Sequence, residues 1–525
     1  MRIAKKSRGI HILIWGITGL GPGFLLPKKS AVLERTRFLA IPKKGVFLVP
    51  TMLVPVVKEY RADTLTPISI FKVLRAKGAC FLLESVEKGE RWGRYSFIGL
   101  KPIGEVIVEQ GQVRARGKIR GYGRAQKPLQ ALREIMQSYL IRDNEALPRF
   151  AGGMVGFLSY DLLRYYEKLP NQPEDDTGFP DAHLFMITQM IVYDHLRQKI
   201  QLIQFIPEKE ANPDRQKQIR QEMDQLIMEV EKTSSPVELE QEGLSYQISR
   251  NFSRKEFIAA VQKVQEYIRD GDVFQTVLSQ RITYRPAPDP FQVYRHLRSL
   301  NPSPYLYFLD FADYQIVGSS PECLVRMEGN QIETCPIAGT RPRGRTAQED
   351  ARLAKELLQD EKERAEHAML VDLGRNDLGK VAELGTVRME DYMHLEKYSH
   401  VMHLVTQLKG RLAPRYDAFD TLVACLPAGT VSGAPKLRAM EIIDQLEPTR
   451  RGPYAGAVGY FDLRGNMDTC ITIRSLFFKD DSVYLQAGAG IVADSVPEKE
   501  YQEILNKLKA LTKSLELEAK GEKVR

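Results

Sequence analysis

The sequence predicts an α+β protein in which large antiparallel β-sheets are sandwiched together and flanked by helices. Three observations support this prediction. Short β-rich runs separated by glycine-containing turns occupy residues 55–205, as is typical of hairpins in antiparallel sheets. In residues 247–515, strand-like runs mix with helix signals without strict βαβ order. The chain has 525 residues, which is long enough to bury a large core.

The elements of the first region follow from these patterns. We interpret residues 55–205 as an N-terminal domain, with a single helix expected over 127–140 between strands. Residues 206–246 are interpreted as a helix and a linker, because 213–232 are charged and helix-forming and the next segment is polar with Pro and Gly. The strand-like runs of the first domain are 79–89, 94–100, 104–117 and 183–194.

Residues 247–515 form the second predicted domain, in which helix starts are marked by capping patterns. In such a pattern a Ser, Thr or Asp side chain accepts a hydrogen bond from the backbone three residues later, where a Glu stands. The four patterns are Ser253 with Glu256, Thr346 with Glu349, Asp360 with Glu363, and Ser495 with Glu498.

Charge is concentrated at the start of the chain. Residues 1–50 hold ten Lys/Arg and one Glu, so the other 475 residues carry about −1 of the net +8 (8 − 9). This balance argues against a nucleic-acid surface. The apolar run 10–26 is short and broken by Gly and Pro, and it lacks a clear signal cleavage site, so we expect no membrane partner. We interpret 1–50 as a basic extension, disordered or read from a start codon assigned too early.

The cysteines point to a reducing compartment. Their number is odd, their spacings are wide and no C-x-x-C pair occurs, so neither a disulfide framework nor a zinc site is expected. We therefore predict a cytoplasmic protein. The five are Cys80, Cys323, Cys335, Cys425 and Cys470.

Two helices carry glutamates on partly apolar faces. Glu363 and Glu366 lie three residues apart on the first, and Glu500 and Glu503 lie three apart on the second. Carboxylates turned inward need a cation or shifted pKa values, and a set without His or Cys favours Mg²⁺. From spacing alone, a solvated helix face and a metal site both remain open.

Histidines and glycines supply two further candidates. His367, His394, His400 and His403 fall within 37 residues; each could transfer protons or could simply be a satisfied, partly buried side chain. The segment 427–436 (PAGTVSGAPK) fails the phosphate-loop pattern because Pro435 separates its second glycine from the lysine. A loop that binds another anion stays open.

The last quarter of the chain contains anion-binding groups. Arg474 interrupts CITIRSLFF, which we interpret as one apolar strand, and an arginine buried there would need a carboxylate or a comparable planar partner. The glycines of GAG (488–490) allow a ligand to approach the backbone closely, and Lys507 lies one turn beyond Glu503. For Arg474 a surface ion pair is the alternative. No cysteine stands in a G-x-C-x-G elbow, so a glutamine-hydrolysing nucleophile is not expected.

Many long motifs, in one order over about residues 55–512, resemble the chorismate-utilising enzymes, and most closely the anthranilate synthase component I family. The resemblance implies that family's fold. The motifs are LLES (82–85), NPSPYLYF (301–308), GSSPE (318–322), PIAGTRPRG (336–344), EHAMLVDLGRNDLG (366–379), YSHVMHL (398–404), PAGTVSGAPK (427–436) and GAGIVADSVPEKEYQE (488–503).

The resemblance implies an Mg²⁺-dependent lyase that converts chorismate and ammonia to anthranilate and pyruvate in tryptophan biosynthesis. Glu366 and Glu503 would hold Mg²⁺, with Glu363 and Glu500 beside them. Glu322 would be the acid for hydroxyl departure, and His403, with Thr430 nearby, would act in the elimination. The chorismate-binding residues would be Gly339, Thr340, Tyr454, Arg474, Gly488, Ala489, Gly490 and Lys507.

Two positions distinguish reactions within the family. Ala338 stands where aminodeoxychorismate synthases typically have a lysine that can attack C2 of the ring. Gln275 stands where isochorismate and salicylate synthases have a lysine that activates water. Because neither lysine is present, direct amination by ammonia is favoured. Aminodeoxychorismate synthase component I remains the alternative within the family. Two alternatives belong to other classes of protein. One is a non-catalytic binding protein, and the other is a nucleic-acid or membrane-surface protein that acts through residues 1–50.

The resemblance also implies regulation and a partner. Ser85, Pro304, Tyr305 and Leu306 would line a tryptophan feedback site, although the family usually has Met where Leu306 stands. A glutamine amidotransferase subunit, component II, would supply ammonia, which makes a hetero-oligomer the expected assembly.

Overall fold

Two large β-sheets form the body of the protein. The computed structural model describes residues 50–85, 93–119, 127–142, 147–233, 243–397 and 401–521. The basic extension up to residue 49, most of the expected linker and His400 lie outside these residues. Among the described residues, the first sheet has 13 strands and the second has 11, and all but one of the strand pairs are antiparallel.

The strands are numbered here in chain order. The first twelve are β1 (Thr51–Arg61), β2 (Ala79–Glu84), β3 (Tyr95–Leu100), β4 (Gly104–Glu109), β5 (Gln112–Gly117), β6 (Tyr139–Ile141), β7 (Gly153–Leu158), β8 (Ala182–Ile187), β9 (Gln189–Asp194), β10 (Lys199–Pro207), β11 (Gln247–Arg250) and β12 (Gln275–Arg285). The others are β13 (Tyr305–Asp310), β14 (Tyr314–Ser320), β15 (Cys323–Glu328), β16 (Gln331–Thr334), β17 (Ile337–Pro342), β18 (Arg388–Lys397), β19 (Val401–Arg411), β20 (Gly433–Ala434), β21 (Ala457–Asp462), β22 (Met467–Ile471), β23 (Ser475–Lys479) and β24 (Ser482–Ile491).

The sheets combine strands from distant regions of the chain. The order in the first sheet is β11-β12-β24-β23-β14-β13-β2-β3-β9-β10-β1-β6, with β20 paired to β12. The order in the second is β17-β19-β16-β15-β22-β21-β7-β8-β4-β5, with β18 paired to β19. Regions 55–205 and 247–515 therefore contribute strands to both sheets.

Helices flank the sheets, and three of the four capping patterns mark their starts. Ser253, Thr346 and Asp360 each accept a hydrogen bond from the backbone amide three residues later. The prediction for Ser495 is wrong, because its hydroxyl accepts from the Val492 amide and the last helix is capped by Val496. The helices are α1 (Pro67–Leu74), α2 (Pro128–Gln137), α3 (Pro213–Thr233), α4 (Arg254–Arg269), α5 (Pro290–Leu300), α6 (Ala347–Gln359), α7 (Glu361–Gly379), α8 (Ala418–Cys425), α9 (Lys436–Leu446) and α10 (Pro497–Ala519).

The alternation of side chains along the strands produces two main hydrophobic cores. In β13, Tyr307 and Leu309 enter the core that also holds residues of the second sheet, whereas Leu306 and Phe308 enter the core shared with the helices. Successive residues of a strand point to opposite faces, so a central strand buried on both sides needs this continuous apolar run. The first sheet therefore lies between the second sheet and a layer of helices that includes α1, α4, α5 and α10.

Candidate active site

The chain passes between the two sheets at two adjoining segments. The chain leaves the first sheet after β14 and enters the second at β15, and it returns from β22 to β23 directly beside this crossing. The Ile471 amide donates to the Glu322 carbonyl at 3.0 Å, and the Ser319 amide donates to the Arg474 carbonyl at 3.1 Å. Glu322 and Arg474, predicted from separate motifs, thus belong to adjoining crossing segments.

The expectation of one continuous strand around Arg474 is wrong. The run CITIRSLFF is divided between β22 and β23, and Arg474 lies between them with φ of +53°. This left-handed conformation is uncommon for a residue with a side chain, and such conformations are often found at functional sites. The break lets the chain pass from one sheet to the other.

The Arg474 guanidinium has no ion pair within the described residues. Burial lowers its pKa, while Tyr454 and the negative charges of Glu322 and Glu503 act in the opposite direction. A partly buried cation without an ion pair is unfavourable, and a planar guanidinium binds a carboxylate through two hydrogen bonds. Arg474 is therefore suited to an anionic ligand that carries a carboxylate.

Glu322 has the protonation behaviour of an acid poised near neutral pH. Its side chain is buried, and burial raises its pKa to about 7. The nearby Thr430 hydroxyl and the charges of Arg474 and Lys507 oppose this rise. Thr430 Oγ1 is itself buried and makes no hydrogen bond of good geometry with the described residues. Near pH 7 a substantial fraction of Glu322 therefore holds a proton that it can donate.

The GAG segment belongs to β24, where two glycines leave room for neighbouring side chains. A Cβ on Gly488 would stand 3.1 Å from the Tyr454 hydroxyl, and one on Gly490 would stand 2.3 Å from Gln275 Nε2. Lys507 Nζ donates to the Gly488 carbonyl at 2.8 Å. The segment thus brings Tyr454, Gln275 and Lys507 to one short stretch of backbone, as expected for a ligand pocket.

A bulge in β17 holds the predicted catalytic histidine. Gly339 has φ of +68° and is passed over in the pairing of β17 with β19, which directs its carbonyl to His403 Nδ1 at 2.9 Å. Thr340 Oγ1 lies 3.1 Å from the same nitrogen. Because Nδ1–H donates to the carbonyl, the lone pair of the neutral ring is on Nε2. Burial and the charge of Arg474 lower the pKa of His403, which favours this neutral form.

The glutamates of α7 and α10 influence one another electrostatically. Burial and the charge of Glu363 raise the pKa of Glu366, with a further contribution from Glu503. Burial also raises the pKa of Glu500. Glu503 pairs with Lys507 at 2.6 Å, and Glu363 pairs with Arg341 at 2.9 Å. No three His, Cys, Asp or Glu side chains in the described residues are grouped closely enough to hold a metal ion.

The other histidines and the glycine-rich segment are placed differently. His367 is buried against Thr406, 2.7 Å from its hydroxyl, and His394 contacts Glu396 at 3.0 Å. Lys436 starts α9 and pairs with Asp377 at 2.6 Å rather than facing an anion site. Thr430 lines a cavity of about 390 Å³ that also reaches Glu322.

A second cavity, of about 490 Å³, contains all four predicted tryptophan-site residues: Ser85, Pro304, Tyr305 and Leu306. Asp468 lies on its wall, accepting from the Tyr305 hydroxyl at 3.0 Å and pairing with Arg326 at 3.1 Å and Arg149 at 3.5 Å. The structure thus joins the LLES and NPSPY segments around one polar and aromatic pocket.

Several residues of these sites were missed by the sequence interpretation. Arg341 pairs with both Glu363 and Asp360, and Arg149, Arg326 and Asp468 line the second cavity. The only signal for Arg341 was its position within PIAGTRPRG. Nothing local marks the other three, since their roles arise from contacts between segments far apart in the chain.

Comparison with known proteins agrees with this geometry. A family model described as chorismate binding enzyme matches residues 78–513. The chain belongs to the chorismate binding enzyme family. Anthranilate synthase component 1 from Acetivibrio thermocellus is 49% identical over 88% of this chain and 95% of the relative, and the Aquifex aeolicus protein of that name is 47% identical over 89% and 95%.

Solved structures of the chorismate binding enzyme family confirm the predicted fold. The crystal structure of anthranilate synthase component I from Streptococcus pneumoniae TIGR4 is 41% identical, covers 82% of this chain and 94% of its own, and superposes with a TM-score of 0.72. The menaquinone-specific isochorismate synthase from Escherichia coli shares the fold at 19% identity, with 92% and 99% coverage and a TM-score of 0.66. No helix in the described residues is long and apolar enough to span a membrane.

Proposed function

We propose that this chain is the large subunit of an anthranilate synthase, a carbon–oxygen lyase that converts chorismate and ammonia to anthranilate and pyruvate. The observation that carries the proposal is the partly buried Arg474 guanidinium, which has no ion pair in the described residues and acts on Glu322, whose pKa is raised to about 7 by burial. One group needs a carboxylate ligand and the other holds a proton near neutral pH. The similarity to relatives named anthranilate synthase component 1 supports this choice of reaction.

Chorismate has two carboxylates, and the site offers groups for both. Arg474 and the Tyr454 hydroxyl would bind one carboxylate, together with backbone amides of Gly488, Ala489 and Gly490. Lys507 would leave the Gly488 carbonyl or share its donors with the ligand. Gly339 and Thr340 would line the opposite wall, next to His403. The positive charges of Arg474 and Lys507 would attract the negative carboxylates of chorismate, and contacts at fixed positions would orient its ring.

The glutamates of α7 and α10 fit a magnesium ion. Burial, and then repulsion from Glu363 and Glu503, raise the pKa of Glu366, and a cation between the helices would offset both effects. Mg²⁺ usually takes one or two protein carboxylates and completes its shell with water and an anionic substrate, so a site without three clustered ligands is suitable. Glu366 and Glu503 would hold the ion, with Glu363 and Glu500 beside them. Bound there, Mg²⁺ would neutralise negative charge on the substrate.

The first chemical step would be acid-assisted amination. Ammonia forms a bond to C2 of the ring while the C4–oxygen bond breaks and the ring double bonds shift. Glu322 donates its proton to the departing hydroxyl, which leaves as water. The new ammonium group then loses a proton, which restores the charge balance. Gln275, packed against Gly490, would contact the incoming nucleophile, because its Oε1 is buried without a hydrogen-bond partner in the described residues.

The second step would be elimination of pyruvate. A base removes the hydrogen on C2, the ether bond to the enolpyruvyl group breaks, and the leaving enolate takes up a proton to become pyruvate. Neutral His403 is suited to the base role because its Nδ1–H is fixed by the Gly339 carbonyl. The Thr430 hydroxyl lies near Glu322 and could donate to the substrate.

Regulation, a partner and a location complete the proposal. The 490 Å³ cavity would bind L-tryptophan as a feedback inhibitor, since it offers aromatic walls, charged groups and the Ser85 hydroxyl, which has no hydrogen-bond partner among the described residues. A glutamine amidotransferase subunit would supply ammonia within a hetero-oligomer. The five cysteines are all free, in keeping with a cytoplasmic location.

The test is to incubate the full chain with chorismate, Mg²⁺ and an ammonium salt at mildly alkaline pH and to follow anthranilate by fluorescence. Formation of anthranilate that stops with EDTA and returns with Mg²⁺ supports the reaction and the metal. The product aminodeoxychorismate would instead assign the chain to the alternative, aminodeoxychorismate synthase component I. No product from a folded protein would contradict the proposal.

A further inference from the structure

Arg451 and Glu447 form a buried ion pair behind the candidate active site. Arg451 Nε donates to Glu447 Oε2 at 2.8 Å and Nη2 donates to Oε1 at 2.6 Å. The two side chains are only 1% and 2% exposed, so neither reaches a ligand. A bidentate pair in such surroundings has a fixed geometry, and losing one member would leave a buried charge unpaired.

The pair also binds two other backbone segments. Arg451 Nη1 donates to the Val431 carbonyl at 2.6 Å, and Nη2 donates to the Val277 carbonyl at 2.7 Å. Glu447 Oε1 accepts from the Ser279 amide at 2.7 Å and the Ser279 hydroxyl at 2.9 Å. The planar guanidinium and the carboxylate thus connect three segments of the chain through directional hydrogen bonds.

Each connected segment carries a candidate site residue. Val431 follows Thr430. Val277 lies two residues after Gln275 and pairs with Gly490 across the sheet. Tyr454 lies three residues after Arg451, with its ring 5.8 Å from the guanidinium carbon. Three residues that would bind chorismate or act on it, Thr430, Gln275 and Tyr454, therefore lie within three residues of a group held by one ion pair.

We propose that Arg451 and Glu447 are positioning residues that set the relative placement of Thr430, Gln275 and Tyr454 for chorismate. This inference rests on the proposed function. A lysine at 451 keeps the charge but presents its donors from one nitrogen, so it cannot reach Glu447, Val431 and Val277 in the same directions. The segments would then shift relative to one another, and misplacement by about 1 Å can cost a hundredfold in rate.

The test compares Arg451→Lys with a matched control, Arg464→Lys. Arg464 also binds a nearby buried carboxylate, Asp462, and the backbone carbonyls of Pro148 and Arg149, and none of these three is a candidate active-site residue. Both variants should unfold at a lower temperature than the wild type. At a temperature where both are folded, Arg451→Lys should lower kcat/KM for chorismate at least about tenfold, because kcat falls and the chorismate KM rises. Its KM for ammonium should stay within about twofold of the wild-type value. Arg464→Lys should leave all three constants unchanged.

Ser279→Ala provides a milder second variant, since it removes the hydroxyl that donates to Glu447 and accepts from Gln486 but keeps the ion pair. It should raise the chorismate KM and lower kcat by about two- to threefold. The inference is overturned if Arg451→Lys and Ser279→Ala lose activity only in proportion to their folded fraction. It is also overturned if their kinetic constants match those of Arg464→Lys. If the wild type makes no anthranilate, the proposed function itself fails, so the two failures are distinguishable.

Discussion

Replacement of Glu322 by glutamine should weaken catalysis and strengthen the fold at the same time. Glutamine keeps the shape of the side chain but can neither donate an acidic proton nor ionise. Removal of a general acid typically costs about 10²- to 10⁴-fold in rate. We therefore expect kcat to fall by about that factor in Glu322→Gln, with the chorismate KM within about threefold.

The stability effect follows from the raised pKa. The fold disfavours the charged carboxylate, so the stability associated with Glu322 is fully present below the unfolded pKa of 4.5 and is lost as the pH rises through about 7. At about 1.4 kcal/mol per pH unit, this difference amounts to about 3 kcal/mol at pH 8 and about half as much at pH 5.5. Glu322→Gln should raise the free energy of unfolding by about these amounts, measured by urea titration at both pH values.

The pH dependence of catalysis should also reflect the loss of the Glu322 proton. With free ammonia held constant, wild-type kcat/KM for chorismate should decline above about pH 7 as Glu322 of the free enzyme loses its proton, and the residual kcat/KM of Glu322→Gln should lack this decline. Glu328→Gln, at an exposed glutamate at the end of β15, the strand that follows Glu322, is the control and should change neither rate nor stability. Nearly normal kcat in Glu322→Gln would contradict the acid role of Glu322, and the absence of a pH-dependent gain in stability would contradict its raised pKa.

Three further predictions concern the ligand sites. Arg474→Gln should raise the chorismate KM about 10- to 100-fold in steady-state assays without lowering the melting temperature, because it removes a cation that has no ion pair in the described residues; a large fall in melting temperature would contradict this. Ser85→Ala should raise the half-inhibitory tryptophan concentration about two- to tenfold while chorismate kinetics stay normal, and unchanged inhibition would place the hydroxyl outside the site. Ala338→Lys, at a buried position next to the Gly339 bulge, should alter the products seen by chromatography, and an unchanged product profile would count against the role of this position in selecting the nucleophile.

Local sequence patterns predicted the helices well where the signal is itself local. The caps at Ser253, Thr346 and Asp360 are confirmed because a capping hydrogen bond spans only three residues. The start of the last helix was wrong because the Ser495 hydroxyl binds the preceding turn instead. Similarly, CITIRSLFF has the composition of one strand, and only the presence of a second sheet explains why it breaks at Arg474.

The family and the α+β class can be recognised without any structure, because motifs such as PIAGTRPRG and GAGIVADSVPEKEYQE are long and specific. The surroundings of the candidate site residues, in contrast, follow from the fold. It placed Glu322 and Arg474 in adjoining sheet crossings, buried them enough to shift their pKa values, and connected three site segments through Arg451 and Glu447. The reason is physical: burial, charge and hydrogen-bond geometry depend on neighbours that are more than a hundred residues away along the chain.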